Sequence, residues 1–250
     1  GDAGTGAPAR TRLQRFRMPM RIAVLGEDAP RYAPWVARHA AELARLTGQA
    51  IGVGGMAQAN VPLVLSPDPA RFLRSSAEAA PVRRMFAGRG AMEHLLAGLT
   101  PETGGLLSPG FPREGGHEIT GGLVLVRTDR DPAMVWAAIV EELSQLLGLL
   151  GDDPAIGWSV FNDTSPYCDL TGLDRWLLRL LYQPGIAPGM TRAEAQRAAL
   201  AAMRRLRPGD VAEGPGQPAL EPDDAAVVDA FLRLAFADPG AMPGSRRTRL

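Results

Sequence analysis

Carboxylate and amide side chains concentrate in residues 141–163, where they can serve acid–base chemistry or bind a cation. Glu141 and Glu142 are adjacent, so on a helix their side chains point about 100° apart and make a poor acid–base pair by themselves. Four further residues carry oxygen ligands suited to a hard cation such as calcium: Asp152, Asp153, Asn162 and Asp163. Their spacing matches no EF-hand loop, so loop capping and turn formation are the favoured roles.

Histidine and cysteine are the other residues that commonly bind metals or act as nucleophiles. A zinc-binding helix needs two histidines four residues apart, and the three histidines lack such a partner: His39, His94 and His117. We expect structural or surface roles for them. Cys168 has no neighbouring histidine or lysine in the sequence, which favours an unreactive thiol. We therefore predict no bound metal and no cofactor.

The composition of the 250 residues excludes several classes of protein. The 27 basic and 27 acidic side chains give a formal net charge of 0, whereas a general nucleic-acid binder usually has a basic excess. A transmembrane helix needs about 18 consecutive apolar residues, and no run in the sequence is that long. One cysteine excludes an internal disulfide or a cysteine-rich zinc module. The hydrophobic content of 46% is ordinary for a globular protein.

The elements that must position these residues form two groups along the chain. Strands are predicted at 17–26, 49–54, 59–66 and 121–127, with a long Gly/Pro loop at 101–117. Helices are predicted at 28–47, 79–99 (broken near Gly88 and Gly90), 131–151, 171–182, 191–206 and 224–235. Strands and helices come first and helices alone follow, which is an α+β pattern.

Both ends of the chain are poor in apolar residues, which predicts disorder. The predicted divisions are a disordered tail at 1–12, a domain at 13–207, a Pro/Gly-rich acidic linker at 208–222, a short helix at 223–237 and a disordered tail at 238–250. The chain starts at Gly1 rather than Met, from which we expect that a leading segment has been removed.

A basic stretch near the start has no acidic residue between its arginines: Arg10, Arg12, Arg15, Arg17 and Arg21. Such a stretch can contact an anionic lipid or polymer surface. The favoured interpretation is a solvated tail that leads into the first strand.

The long helix at 131–151 resembles the active-site helix of the metzincin metallopeptidases, whose pattern is H-E-x-x-H-x-x-G-x-x-H. Glu142 stands at the position of the catalytic glutamate, and Gly148 at that of the turn glycine. The three zinc-binding histidines are replaced by Glu141, Gln145 and Gly151.

The resemblance continues beyond this helix and covers about residues 16–183. Asp152 is next to the third ligand position, and Phe161 takes the place of the methionine in the turn beneath the metal. The resemblance implies a zincin-like fold, in which a small, mixed and twisted sheet carries an active-site-type helix and a helical part follows. An amide is a weak zinc ligand and glycine offers no side chain, so we expect no useful zinc affinity.

A second set of spaced motifs is similar to a proteobacterial family, domain of unknown function 2927. The motifs lie at residues 141–149, 159–163, 170–174 and 181–190. Several members of that family look like exported proteins or lipoproteins. The resemblance therefore implies a periplasmic or lipid-anchored protein of the cell envelope.

The favoured hypothesis is a non-catalytic, metzincin-like protein that binds a peptide or protein partner in a groove. An edge strand at 121–127 would take up the extended partner by strand addition. The residues expected at the groove are Glu141, Gln145, Gly148, Asp152, Phe161 and Asn162.

Two other functions are compatible with the sequence. One is an active hydrolase with Glu142 as its general base and with Glu141 or Asp152 as ligands of an unusual metal. The other is a structural or assembly module whose contact surfaces are the loop at 101–117 and the C-terminal helices.

Overall fold

The computed structural model describes residues 10–86, 91–100, 102–111, 116–206 and 223–237, which form a mixed α and β structure with a mostly parallel sheet. Its strands are β1 (Arg15–Phe16), β2 (Met20–Leu25), β3 (Ile51–Val53), β4 (Val61–Ser66), β5 (Gly105–Gly110), β6 (Glu118–Ile119) and β7 (Gly121–Arg127). Its helices are α1 (Ala29–Thr47), α2 (Pro69–Ser75), α3 (Ala80–Met85), α4 (Ala91–Ala97), α5 (Pro132–Gln145), α6 (Gly172–Leu181), α7 (Arg192–Met203) and α8 (Asp224–Ala235).

The main sheet has the strand order β3-β2-β4-β7-β5. The first four strands are parallel, and β5 pairs antiparallel with β7. Strands β1 and β6 form a separate parallel pair. Strand β7 has the predicted bounds, but the prediction that it is an edge strand is wrong, because β5 pairs along its outer side.

Strand β5 lies within the predicted loop at 101–117, so that loop is shorter than expected. Gly105, Pro109 and Gly110 give this segment a low intrinsic preference for strand. It is a strand because Leu106 packs under the sheet while its backbone pairs with β7. Tertiary pairing has overridden the local preference.

Helices cover both faces of the sheet. Val124 and Val126 of β7 point into a large core formed with α1, α5, α6, α7 and α8. Leu123 and Leu125 point to the opposite face, into a smaller core formed with α2, α3 and α4. The period of two along the strand accounts for this division.

Helix α5 begins as predicted and ends earlier. The Asp131 side chain accepts a hydrogen bond from Ala133 N at 2.9 Å, and Pro132 occupies the first turn. The helix ends at Gln145 rather than near Gly151. Gly148 has φ of +133°, which breaks the helix, and its backbone packs against Gln14.

The other helices follow their terminal signals. Helix α1 ends at Gly48 in the left-handed conformation (φ +69°), and α8 has the predicted bounds. Asp28 precedes α1 but does not cap it, because its carboxylate accepts a hydrogen bond from Thr128 Oγ1 instead. Thr171 and Thr191 begin α6 and α7 with capping boxes.

The N-terminal segment joins the fold earlier than predicted. Arg12 forms an isolated antiparallel β-bridge with Thr191, and Leu13 N donates a hydrogen bond to Met190 O at 2.8 Å. Arg15 is buried, so it cannot belong to a solvated basic tail. Residues 1–9 of the predicted tail lie outside the described residues, as do the predicted linker at 208–222, the tail at 238–250 and the helix break near Gly88 and Gly90. None of the described helices is long and apolar enough to cross a membrane.

Candidate functional site

The end of helix α5 carries the residues that the sequence singled out. Glu141, Glu142 and Gln145 are 0%, 2% and 5% exposed, so all three lie inside the molecule. Every residue from Val135 to Gln145 is buried because α5 lies between the sheet and the other helices of the larger core. The helix therefore presents polar side chains to an interior that is mostly apolar.

Glu142 lies directly against the edge strand β5. A Cβ atom on Gly105 would be 2.7 Å from Glu142 Oε1 and 2.9 Å from its Cγ, so any other residue there would force the glutamate side chain to shift. This contact places the predicted catalytic glutamate beneath the backbone of β5. Gly105 was not among the predicted site residues, although the pair Gly104–Gly105 is a signal for close backbone approach.

Gln145 and Asp152 meet in space. Gln145 Nε2 donates a hydrogen bond to Asp152 Oδ1, which joins α5 to the turn that follows it. Asp152 is half-buried. The two side chains are seven residues apart, and the Gly148 turn brings them together by reversing the chain after α5.

Residues at the C-terminal end of α8 pack against Gly151 and leave no room for a side chain there. A Cβ atom on Gly151 would collide with the Cβ of Ala237 and lie 3.0 Å from Leu234 O. An ion pair 3.2 Å long between Arg233 and Asp153 fastens the same end of α8 to the turn. A side chain larger than hydrogen at Gly151 would therefore require α8 to move.

The loop after this turn holds Phe161 and Asn162. Phe161 is 0% exposed and belongs to the larger core rather than to an accessible surface. Asn162 Nδ2 donates to Ile156 O at 3.1 Å, and its Oδ1 accepts from Thr164 N at 2.9 Å. Asn162 thus organises the loop, and the structure does not bring it to the Gln145–Asp152 pair.

Asp174 is a buried residue whose hydrogen bonds hold this loop in place. Its carboxylate accepts hydrogen bonds from Ser159 Oγ at 2.6 Å, from Val160 N at 3.1 Å and from Thr171 N at 2.7 Å. Burial raises the pKa of Asp174 above its ordinary value, and these hydrogen bonds oppose that effect. The spacing of Thr171 and Asp174 is that of a capping box, so the sequence contained the signal for this role.

His39 contacts α5 from the side of α1. Its Nε2 lies 3.3 Å from Ser144 Oγ, and its ring packs edge-on against Trp136. Complete burial lowers the pKa of His39 from 6.5 to about 4, against the smaller opposing effects of Glu42 and Asp169. His39 is thus a neutral residue of the core.

The residues at the three positions that the metzincin resemblance assigns to zinc ligands do not fit a zinc ion. The amide of Gln145 is engaged with Asp152, and Gly151 is covered by α8. Only Glu141 offers a strong ligand among the three positions that correspond to histidines. Within the described residues, no group of three or more His, Cys, Asp or Glu side chains is arranged to hold a metal ion.

Comparison with known protein families gives one match. The sequence profile of the family called protein of unknown function (DUF2927) matches residues 2–201. A search of curated proteins found no match, and a search of solved structures found none. Because the profile covers well over half of the 250 residues, the chain belongs to the DUF2927 family, and helix α8 lies outside the matched range.

Proposed function

We propose that this member of the DUF2927 family is a non-catalytic, metzincin-like protein of the cell envelope that binds an extended segment of a partner along strand β5. The observation that carries the proposal is the packing of edge strand β5 against α5 at Gly105 and Glu142. The partner strand would lie beside the end of α5, where a metzincin has its catalytic groups.

The backbone of β5 supports strand addition. Arg127 N donates to Gly104 O at 2.9 Å, and hydrogen bonds alternate along an antiparallel pair. The N–H and C=O groups of Leu107 therefore point away from β7, towards the outer side of the last strand in the described sheet. The backbone of Pro109 has the same orientation. Proline lacks an N–H group, and on this outward side its absence removes no hydrogen bond to β7. A partner strand can bond to the outward-facing groups.

Side chains near this edge differ between its two faces. On the α5 side, Gly105 contacts the buried Glu142 side chain, and Leu107 packs against the larger core. On the other side, Leu106 packs into the smaller core. Alternate side chains of an added strand would therefore point towards α5 and towards α4, which gives the site its means of selecting a sequence.

A hydrolase that uses Glu142 as general base has less support. Glu142 is 2% exposed and lies beneath the backbone of β5, so a substrate and a water molecule would have to displace that strand to reach it. A general base must come within hydrogen-bond reach of the proton that it removes. The hypothesis of an assembly module uses the segment 101–117 and the C-terminal helices as contact surfaces. Strand β5 lies in that segment, so this hypothesis and our proposal share one surface.

Capture of peptides from a random library of extended sequences tests the proposal. We expect Leu107→Pro to abolish capture, because proline lacks the outward N–H, while Leu107→Ala removes the same side chain, keeps the N–H and retains capture. Pro109→Ala adds an outward N–H and should strengthen capture. Equal capture by the wild type and by Leu107→Pro would overturn strand addition at β5, provided that thermal unfolding shows both proteins to be folded.

The location in the cell envelope is a separate part of the proposal and is supported by the family resemblance alone. Cell fractionation of the native protein tests it. Recovery with the periplasmic or membrane fraction is expected, and recovery with the cytosolic fraction would contradict it.

A further inference from the structure

The solvent face of helix α1 carries a regular stripe of arginines. Arg31, Arg38 and Arg45 are exposed and follow one another at intervals of seven residues, so they lie on one side of the helix and span about 21 Å. Exposed residues with short side chains lie between them: Pro34, Ala37 and Ala41. The guanidinium groups therefore project beyond their neighbours on this face.

An exposed tryptophan lies within the stripe. Trp35 is 51% exposed, and Arg38 lies over its ring at 5.8 Å from the ring centre. The buried side of Trp35 packs edge-on against Trp136 at 5.5 Å. The indole is thus held in place while half of its surface faces solvent, although burial of such a side chain would stabilise the protein.

Among the described residues near this face, the acidic side chains either have partners of their own or lie at the first turn of α1. Glu42 is the only acidic residue of α1, and its carboxylate accepts a hydrogen bond of 2.8 Å from Arg175 of α6. Asp169 accepts the Trp136 Nε1–H at 2.8 Å and offsets one positive charge. At the first turn, Asp28 and Asp131 act electrostatically on Tyr32, which is next to Arg31 in the sequence. Arg38 and Arg45 lie about two and four turns further along the helix.

A second exposed tryptophan belongs to the same region. Trp158 is 69% exposed, and its carbonyl accepts a hydrogen bond of 2.8 Å from Thr171 Oγ1 at the start of α6. Asp169, which binds Trp136, is two residues from Thr171. Trp35 and Trp158 are the two most exposed large hydrophobic residues of the described chain. Trp158 is hydrogen-bonded to the start of α6, and Trp35 is connected to the same segment through Trp136 and Asp169.

We propose that this α1 face, defined by Arg31, Trp35, Arg38 and Arg45 with Trp158 beside it, binds the surface of an anionic lipid bilayer. Arginines are attracted to an anionic membrane surface, and tryptophan favours the level of the lipid headgroups. A straight row of cations about 21 Å long matches a flat surface. The exposed indoles distinguish a bilayer from a soluble polyanion, which would need the cations alone. The proposal concerns a surface formed by α1 and the start of α6, and it does not depend on peptide binding at β5.

Co-sedimentation of the full chain with vesicles tests the proposal. The probes are vesicles of phosphatidylglycerol and phosphatidylcholine in equal parts, and vesicles of phosphatidylcholine alone. We expect partition onto the mixed vesicles only, with a blue shift of tryptophan fluorescence. Replacing Arg31, Arg38 and Arg45 by Gln should lower the partition coefficient by about fivefold for each arginine, or about a hundredfold together, because each contributes roughly 1 kcal/mol near an anionic surface. High salt should also lower the partition coefficient, because it screens the attraction between the arginines and the anionic surface.

A matched variant controls for the change in net charge. Replacing Arg71, Arg74 and Arg84 by Gln removes three exposed arginines from α2 and α3, which cover the opposite face of the sheet. This variant should partition as the wild type does. Equal losses in the two triple variants would overturn the assignment to α1, and so would equal binding of the wild type to neutral and anionic vesicles. Circular dichroism verifies that each variant is folded.

The tryptophan separates a bilayer from other anionic partners. Trp35→Ser should weaken binding to the mixed vesicles and leave binding to inositol hexakisphosphate, a soluble polyanion, unchanged. If Trp35→Ser leaves vesicle binding unchanged, or if the soluble polyanion binds as tightly as the vesicles do, the site is a general anion site and the lipid assignment is wrong. Trp158→Ser gives the contribution of the second indole in the same assay.

Discussion

Gly105 of β5 and Glu142 of α5 are in contact, since a Cβ at position 105 would lie 2.7 Å from Glu142 Oε1 and would force the glutamate side chain to shift. The edge strand and the helix are therefore as close as their backbones and the glutamate side chain allow. This closeness determines how deep a groove beside β5 can be on the α5 side. A partner strand would meet the carboxylate-bearing end of α5 immediately beyond the sheet edge.

Gly105→Ala should destabilise the protein by about 1–3 kcal/mol, because the buried Glu142 side chain has to shift to make room. The measurement is the free energy of unfolding from denaturant titration. Glu142→Ala in the Gly105→Ala background removes the carboxylate and Cγ that would collide, so the two changes should be coupled rather than additive. Additive losses would show that Gly105 and Glu142 do not meet.

Leu146→Ala should lower the free energy of unfolding by about 2–5 kcal/mol. Leu146 is 0% exposed, and its Cδ1 lies 2.8 Å from where a Cβ on Gly122 of β7 would be. Leu200→Ala is the control, because Leu200 is 36% exposed on α7 and should lose much less stability. If the two variants unfold at the same denaturant concentration, the end of α5 is not packed on the sheet.

Histidines at the positions that the metzincin resemblance assigns to zinc ligands should create measurable zinc binding. The variant combines Glu141→His, Gln145→His and Asp152→His, because Gln145 and Asp152 already meet, whereas Gly151 has no room for a side chain beneath α8. We expect weak zinc binding in this variant and negligible binding in the wild type, measured by calorimetric titration in one buffer.

The control variant carries its third histidine at position 157 in place of 152. Gly157 has no atom within 4 Å of its would-be Cβ, so a histidine side chain there has room and its Cβ touches neither Gln145 nor any other described residue apart from its chain neighbours. It should bind zinc less tightly than the variant with His at 152. Tight stoichiometric zinc binding by the wild type would contradict our expectation of negligible zinc affinity and favour the hydrolase hypothesis.

His39 should make the protein less stable as the pH falls from 6.5 to about 4. The unfolded chain protonates this imidazole near its ordinary pKa of 6.5, but the folded protein holds the pKa at about 4, so protonation favours unfolding across that range. The loss should reach about 3 kcal/mol at the acidic end. Below a pH of about 4 both states are protonated and the loss stops growing.

The difference between the wild type and His39→Gln isolates this effect. Asp174 has a raised pKa and changes stability in the opposite direction, so a single pH profile mixes the two. Glu42, Asp169 and Arg175 also act on His39, and all three are retained in the variant. Parallel pH profiles for the two proteins would show that the imidazole of His39 is not buried in its neutral form.

Local signals in the sequence were sufficient for most of the helices. Gly48 after α1 and Pro132 at the start of α5 are terminal signals that act within one turn, and the structure has the predicted boundaries there. Helix α2 was missed although Asp68 caps it through Arg71 N at 2.9 Å, because its seven residues are too few to show periodicity.

Contacts between distant segments account for what the sequence could not show. Leu146 and Leu150 continue the helical spacing of α5, but they lie after its end and pack into the larger core there, so periodicity alone placed the end of the helix too late. The coverage of Gly151 depends on Ala237, which is 86 residues further along the chain (237 minus 151). No local pattern at either residue reports that contact.

The position of the first strand also has a consequence for the order of folding during synthesis. Arg15 in β1 donates hydrogen bonds to Leu181 O at 2.9 Å and to Ile186 O, and the Tyr182 hydroxyl donates to Phe16 O at 3.0 Å. These partners are synthesised some 166 residues after Arg15. Since loop closure over such a distance is slow, the segment around β1 must wait for its partners while the ribosome completes the rest of the domain. During that interval Phe16 and Leu13 are uncovered, so chaperone capture of nascent chains should be strongest before Ile186 has left the ribosome.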